Sequence, residues 1–359
     1  MPAVIARMIW RQRYPAEDVL RVSDSTGGFP LTNLLFTSAG RRVELMRLFR
    51  ASFQALGDEG RIIAVDVDPL APALHALGPG DRTYLMPRSD TTSFVSRLLE
   101  ICTREGVQLV LPLIDPDIPI LAREATALKN AGAIAGSVDS RAAGITRDKW
   151  TTASFLRSLN MPVPATWLPT HVAEAEAQAG FPLIVKPRSG SAAKDVVKVG
   201  TRTELEFFLQ AVPDAIVQEY LPGPEITTDV VVDHRGNVLA TVCRQRIAVR
   251  AGEVAKGKTI HNERIANAAA EIARGLGATG PITVQCIFKD GEPYFTEINA
   301  RLGGGVPLAV AAGVDVPGLI LRALRGETVT PIPWDGYRDE LYMTRFDESF
   351  FLDQGHGRV

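Results

Sequence analysis

The chain has 359 residues, 46% of them apolar, enough to bury a real core and to divide into two or three domains. Its 39 basic and 41 acidic residues are dispersed and leave a net charge of −2, which excludes a global electrostatic footprint for nucleic acid or a membrane surface. Cys102, Cys243 and Cys286 lie far apart in no CxxC pattern, which argues against a disulfide framework or zinc site and suits a reducing, cytoplasmic compartment.

The first stretch, residues 1–32, contains arginines but no apolar core of a secretory signal, and reads as a variable extension. Beyond it no apolar run reaches the roughly 20 residues of a bilayer span. From Asn33, "NLLFTSAGRRVELMRLF" is a short apolar run, a Ser-Ala-Gly turn, and then Val43, Leu45, Met46, Leu48 and Phe49 at helical spacing. "RIIAVDVDP" and "VQLVLPLIDPD" repeat the buried strand ending in acidic residues, with the helical "TTSFVSRLLEICTREG" between them. Strands alternating with helices predict a parallel sheet covered on both faces. Its carboxyl-end rim would gather Ser38, Gly40, Arg41, Asp66, Asp68, Asp115 and Asp117. The turn has no GxGxxG, so it suits a substrate pocket better than a dinucleotide.

"GITRDKWTTASFLRSLNMPVPATW" reads as one helix closed by Asn160 and two prolines, opening a second unit. "FPLIVKPRSGSAAKDVVKVG" then puts Lys186 at a strand end, ahead of small residues from Arg188 to Asp195. Small residues let backbone N–H groups approach phosphate oxygens, and the lysine adds a point charge. A flexible hairpin with a solvated lysine fits the same letters, and GxxxxGK[ST] is absent. "AIVQEYLPGPEITTDVVVD" places Glu219 after a buried strand and Glu225 beyond a Pro-Gly turn, suited either to an adenine edge and ribose hydroxyls or to two surface glutamates.

The remaining β-rich runs predict mostly antiparallel sheet. Arg244, Arg246, Arg250, Lys256 and Lys258 either bind a substrate carboxylate or decorate exposed strands. In "VQCIFKDGEPYFTEINAR" a hairpin folded at Lys289-Asp290-Gly291 brings Gln285 near Glu297. The two-residue period puts Glu297, Asn299 and Arg301 on one face and Ile298 and Ala300 on the other. A solvated edge strand would look similar. Hard oxygen ligands in this arrangement, completed by phosphate and water, suit Mg²⁺, and Arg301 suits charge developing in a transition state. The five histidines form no metal-ligand spacing, and His261 stands out only for lying between these segments.

In order and combination these motifs resemble the ATP-grasp superfamily, most like its carbamoyl-phosphate-synthase-like single-copy carboxylate–amine ligases, from about Asn33 to Gly326. The resemblance implies an α/β (α+β) ATP-grasp fold. Its parts would be a Rossmann-like parallel-sheet domain (33–140), linker helices with a small lid subdomain (141–222), an antiparallel-sheet catalytic subdomain (223–340) and a tail (341–359). It implies that Lys149 and Lys186 contact ATP phosphates beneath the loop of Ser189, Gly190 and Ser191, that Glu219, Tyr220 and Leu221 form the adenine hinge, and that Glu225 takes the ribose. Gln285, Glu297 and Asn299 would hold Mg²⁺, with Mn²⁺ as a substitute, and Arg301 would stabilise an acyl phosphate. Many members have an acidic residue where Gln285 stands.

The implied reaction is ATP-dependent activation of a small carboxylate as an acyl phosphate and its capture by an amine, without nucleic acid or membrane, in a protein free to form a homodimer. A single unit without a Cys-centred triad departs from complete carbamoyl phosphate synthase, and no biotinylation region favours a biotin carboxylase. The alternatives are a carbamoyl-phosphate-synthase-like or carboxylating enzyme, or a nucleotide-binding regulator without turnover.

Overall fold

A computed structural model describes residues 31–190, 194–250, 252–353 and 355. The N-terminal extension as far as residue 30, and Ser191 of the small-residue loop, lie outside the described residues. From Leu31 on, the chain forms one compact unit built on three sheets.

The first sheet is parallel, with strand order β3-β2-β1-β4-β5. Its chain order is β1 (Leu34–Thr37), α1 (Val43–Ala55), β2 (Ile62–Asp66), α2 (Pro72–His75), β3 (Arg82–Leu85), α3 (Ser93–Glu105), β4 (Leu109–Pro112), α4 (Ile118–Arg123), α5 (Ala125–Asn130) and β5 (Ile134–Ala135). Side-chain alternation sorts the central strands between two cores. Leu34, Phe36, Ile62 and Ala64 meet Met46, Phe49 and Phe53 of α1, while Leu35, Ile63, Val65 and Val110 meet Phe94, Leu98 and Ile101 of α3. Covering on both faces is why these strands are continuously apolar. The edge strand β3 exposes Arg82, Thr83 and Leu85, and β5 has two residues, so neither carries the apolar run that marks the inner strands.

The helix expected across residues 144–160 is two helices. α6 (Ser140–Arg147) ends where Asp148 turns extended, with φ −110° and ψ 113°. The Asp148 side chain then accepts from the backbone N–H groups of Trp150 and Thr151, capping α7 (Lys149–Ser158). Helical periodicity alone could not separate a break of one residue from a continuous helix.

The second sheet is antiparallel, in the order β6-β9-β7-β8. It comprises β6 (Thr166–Trp167), α8 (Val172–Ala179), β7 (Leu183–Pro187), β8 (Val197–Val199), α9 (Arg202–Ala211) and β9 (Ala215–Glu219). Trp167, Leu183, Val185 and Val217 form its core with Ala175 of α8 and Leu205 of α9.

The third sheet, β14-β13-β10-β11-β12-β15, is also antiparallel. It is built from β10 (Glu225–Val232), β11 (Val238–Arg250), β12 (Glu253–Thr259), α10 (Glu263–Leu276), β13 (Ile282–Lys289) and β14 (Glu292–Asn299), followed by α11 (Val306–Ala311), α12 (Val316–Leu324) and β15 (Tyr342–Thr344). Ile265, Ala269, Ile272 and Ala273 of α10 cover one face through Ile226, Val230, Val284 and Ile298. On the other side Val306, Ala309, Leu319 and Ile320 join the core that holds Phe36 and Phe49, so this sheet and the parallel sheet share a continuous interior. Among the described residues no helix is long and apolar enough to cross a membrane.

Candidate active site

Two lysines reach one cleft from different elements. Lys149 opens α7; its backbone N–H donates to Arg188 O at 2.9 Å and its Nζ to Gly190 O at 2.8 Å. The Arg188 guanidinium pairs with Asp148, so the cap of α7 also ties down the start of the small-residue loop. Ser189 and Gly190 are exposed there, Gly190 with a φ of +130° that favours glycine. Lys186, only 8% exposed at the end of β7, donates from Nζ to Gln218 Oε1 at 2.7 Å. Burial pushes its ammonium down to about 8, opposed by the charge of Glu297 and reinforced by Lys149. Of the two readings the sequence left open, the solvated lysine does not hold, because Lys186 is buried against Gln218 of β9.

Gln218 was not a sequence candidate. Its amide holds Lys186 on one side and donates to Thr166 Oγ1 at 2.9 Å on the other. The signal was available, because a glutamine inside the apolar run "AIVQ" of a central strand must find buried partners. Glu219, one residue on, faces away from it: its backbone N–H donates to Ala165 O at 2.8 Å and its Oε2 accepts from Ala165 N at 3.3 Å. Lys198 Nζ stands 3.8 Å from the centre of the Tyr220 ring, Leu221 is buried, and Glu225 pairs with Arg246.

On the third sheet, Gln285 of β13 lies directly opposite Glu297 of β14, and Thr283 opposite Asn299. The two-residue turn at Asp290 and Gly291, with φ of +53° and +81°, sets the pairs from Lys289–Glu292 to Cys286–Phe295, and a bulge that leaves Thr296 unpaired then shifts the register by one residue to bring Glu297 opposite Gln285. Ile298 and Ala300 are buried in the α10 core, so Glu297 and Asn299 face the cleft. β14 ends at Asn299. Arg301 N–H turns back to Asn299 O at 2.8 Å, and the guanidinium crosses to Asp115, donating from Nε at 2.8 Å and Nη2 at 3.1 Å. This fork joins the third sheet to the carboxyl-end rim of the parallel sheet.

The rest of that rim is ordered by its own polar groups. Asp117 accepts from Thr37 and Ser38 hydroxyls at 2.7 and 2.8 Å, and Asp66 accepts from Gly40 N–H at 2.7 Å. Burial raises the Asp117 carboxyl above its ordinary range against those hydroxyls. Burial likewise raises Glu297, while Lys149, Lys186 and Arg301 hold it down and Asp115 adds to the rise. These five groups therefore share one electrostatic neighbourhood.

The donor set fits a hard divalent cation. Glu297 and Asn299 make no side-chain hydrogen bond or ion pair to any described residue, and Gln285 Oε1 accepts only a long bond, 3.4 Å, from Arg246. Among the described residues no three His, Cys, Asp or Glu side chains converge, so one carboxylate and two amides would leave the remaining positions to phosphate and water, as Mg²⁺ usually requires.

Of the basic residues considered for substrate, Arg244 is excluded. It is 2% exposed and donates to both oxygens of Asp229, at 2.6 and 2.7 Å, under the Gly303–Gly305 turn. Arg246, Arg250 and Lys258 pair with Glu225, Asp347 and Glu340, and Lys256 is exposed. His261 stacks edge-on against Trp334 and Tyr337, and its Nε2 lies 2.8 Å from Tyr337 O, a structural setting.

A parallel-sheet domain, a small antiparallel sheet holding a buried lysine, and a larger one ending in E-x-N-x-R define an ATP-grasp architecture. Residues 146–305 belong to the ATP-grasp domain family, whose profile they match. Residues 34–135 match the PylC-like, N-terminal domain. In fold the chain is similar to the biotin carboxylase domain of 2-oxoglutarate carboxylase from Hydrogenobacter thermophilus, solved with MgADP, ADP and bicarbonate (17% identity, 87% of this chain and 74% of that one, TM-score 0.69). It is similar to L-amino acid ligase from Bacillus licheniformis (22% identity, 84% and 78% covered, TM-score 0.63). It is also similar to N5-carboxyaminoimidazole synthetase from Staphylococcus aureus, solved with ADP (14% identity, 84% and 79% covered, TM-score 0.65).

Proposed function

We propose that the protein is an ATP- and Mg²⁺-dependent ligase that activates a small carboxylate as an acyl phosphate and joins it to an amine, releasing ADP and phosphate. Support comes chiefly from the meeting of Lys149, Lys186, Glu297 and Arg301, with the Glu297 and Asn299 oxygens unpartnered among the described residues. The fold shared with ADP-bound proteins adds to this.

In this reading residues 33–140, 141–222 and 223–340 act as the three functional domains, with 341–359 as a tail. The triphosphate lies between β7 and β14, under Ser189 and Gly190. The hinge backbone at Glu219, Tyr220 and Leu221 meets the adenine. Glu225 turns from Arg246 to the ribose. Mg²⁺ held by Glu297, Asn299 and Gln285 would neutralise charge between the phosphates. A carboxylate oxygen attacks the γ-phosphorus in line, ADP departs, and Lys149 and Lys186 carry the charge of the phosphates that remain. Arg301, oriented by Asp115, stabilises the charge on the acyl phosphate and on the oxyanion formed as the amine attacks its carbonyl. Collapse expels phosphate, and the amine's proton leaves to solvent. Three buried cysteines in no disulfide suit work in the reducing cytoplasm.

Pooled amino acids and small carboxylates, with and without amines, should elicit ADP release that a mass spectrum matches to an amide product. If no pool elicits ADP release, the ligase reading fails and a regulatory nucleotide-binding role replaces it.

Lys186 supplies a separate prediction. Lys186→Met should weaken ATP binding about 10–100-fold by calorimetry, since a charge-assisted contact to phosphate is lost. It should also lower stability by about 1–3 kcal/mol, because Gln218 is left with a buried acceptor unfilled. With the free lysine titrating near 8, it is charged below that pH and neutral above it, so wild-type ATP affinity should fall as pH rises past 8. A pH-independent affinity between 7 and 9.5, or an unchanged one in the variant, would place the triphosphate elsewhere.

A further inference from the structure

Arg42, Glu253 and Arg345 come together at a place the family motifs do not reach. Arg42 ends the "TSAGRR" turn at the N-cap of α1, Glu253 opens β12, and Arg345 follows β15. Glu253 bridges the two guanidiniums, with Oε1 3.3 Å from Arg42 Nη2 and Oε2 3.2 Å from Arg345 Nη1. Arg345 Nη2 also donates to Gly304 O, and Glu44 Oε2 lies 3.9 Å from it. Gly304 lets the turn pass close to both side chains, since a Cβ there would stand 2.5 Å from Arg42 Nη1 and 3.3 Å from Glu253 Oε2. The turn after Arg301 is thereby threaded between two arginines from opposite ends of the sequence.

Arg301 and Arg345 both repel Arg42, which answers to Glu253, while Asp115 pairs with Arg301 and Glu44 stands 3.9 Å from Arg345. Arg42 makes no side-chain hydrogen bond among the described residues, only its ion pair to Glu253, and Arg345 Nε is buried with no acceptor. Buried guanidinium donors without acceptors are costly unless a ligand supplies one. No side chain caps the first turn of α1 through a hydrogen bond, and Glu44 is the acidic residue that turn carries.

The neighbourhoods give the subsite its place. Arg42 feels Glu253, Arg345, Arg301 and Asp115; Glu297 feels Lys149, Lys186, Asp115 and Arg301. The Arg301–Asp115 fork belongs to both neighbourhoods. We infer that Arg42 and Arg345 form a carboxylate-binding subsite beside that fork, holding a carboxylate of the substrate other than the one phosphorylated. The planar fork of a guanidinium matches a carboxylate in two-point contact. The substrate class is then an α-amino acid serving as the amine, or a dicarboxylic acid serving as the acid, rather than a simple monocarboxylate. The assignment rests on the ligase reading for its role in turnover, but binding tests it without turnover.

Melting of the full chain with Mg·ADP would be followed against the common amino acids, succinate and glutarate, each beside its carboxamide. At least one carboxylate should raise the melting temperature of the wild type where its carboxamide does not. Arg42→Met should weaken that ligand at least about tenfold and Arg345→Lys less, with ADP affinity unchanged in both. If Arg42→Met does not fold, Arg42→Lys and Arg345→Lys carry the comparison. No stabilising carboxylate in the panel, equal shifts from the carboxamides, or equal affinity in the variants would each overturn the subsite. Selective binding without any ADP release would leave the subsite standing and remove the ligase. Amino acids and dicarboxylates distinguish themselves as separate arms.

Discussion

Arg244→Met should destabilise the protein by about 3–5 kcal/mol in urea denaturation, the largest loss expected of any single polar substitution here. The reason is the partner left behind. Asp229 is 3% exposed and has both oxygens filled by Arg244, so removing the guanidinium strands a carboxylate in the interior. Asp229→Leu combined with Arg244→Met should recover much of the loss, since a buried ion pair can often be exchanged for apolar volume. The pair also shapes the turn: a Cβ at Gly305 would overlap the Arg244 guanidinium, and one at Gly303 would stand 2.9 Å from Asp229 Oδ1. A loss below about 1 kcal/mol for Arg244→Met would mean that water reaches this pair.

Arg301→Ala should lower turnover by roughly 10²–10³-fold while leaving ATP affinity nearly unchanged, because its charge meets groups that become anionic only as the reaction proceeds. Glu297→Gln should reduce both turnover and nucleotide affinity, since the one carboxylate of the proposed cation site is lost. Substrate-dependent ADP release and calorimetry on the two variants separate these outcomes. If Arg301→Ala weakens ATP as much as it slows turnover, Arg301 serves ground-state binding instead.

The parallel sheet was legible because its inner strands are uniformly apolar and its helices amphipathic. β3 and β5 were not, being short edge segments whose pairing is set by the strands beside them. Alternation and an Asp-Gly turn were enough to bring Gln285 near Glu297, because a hairpin is local, but the bulge at Thr296 that puts the two directly opposite was not legible. Contacts between distant segments left no such trace. Arg301 meets Asp115 across 186 positions, and nothing in either segment names the other. Gln218 could have been found as a polar residue in a buried strand, whereas the meeting of Arg42 with Arg345 could not, since it depends on β15 joining the edge of the third sheet at β12. Arg244 looked like a surface charge on a β-rich segment. Its burial follows from Asp229 on the adjacent β10 and from the glycine turn packed over it.

The most direct test of acyl phosphate formation follows an oxygen atom. With the acid found in the ADP-release screen labelled with ¹⁸O in its carboxylate, attack on the γ-phosphorus places one carboxylate oxygen between carbon and phosphorus, and amine capture breaks the carbon–oxygen bond. Mass spectrometry of the phosphate released should therefore show one ¹⁸O transferred per amide formed. Phosphate that carries no label while ADP and product accumulate would contradict activation of the carboxylate by phosphorylation.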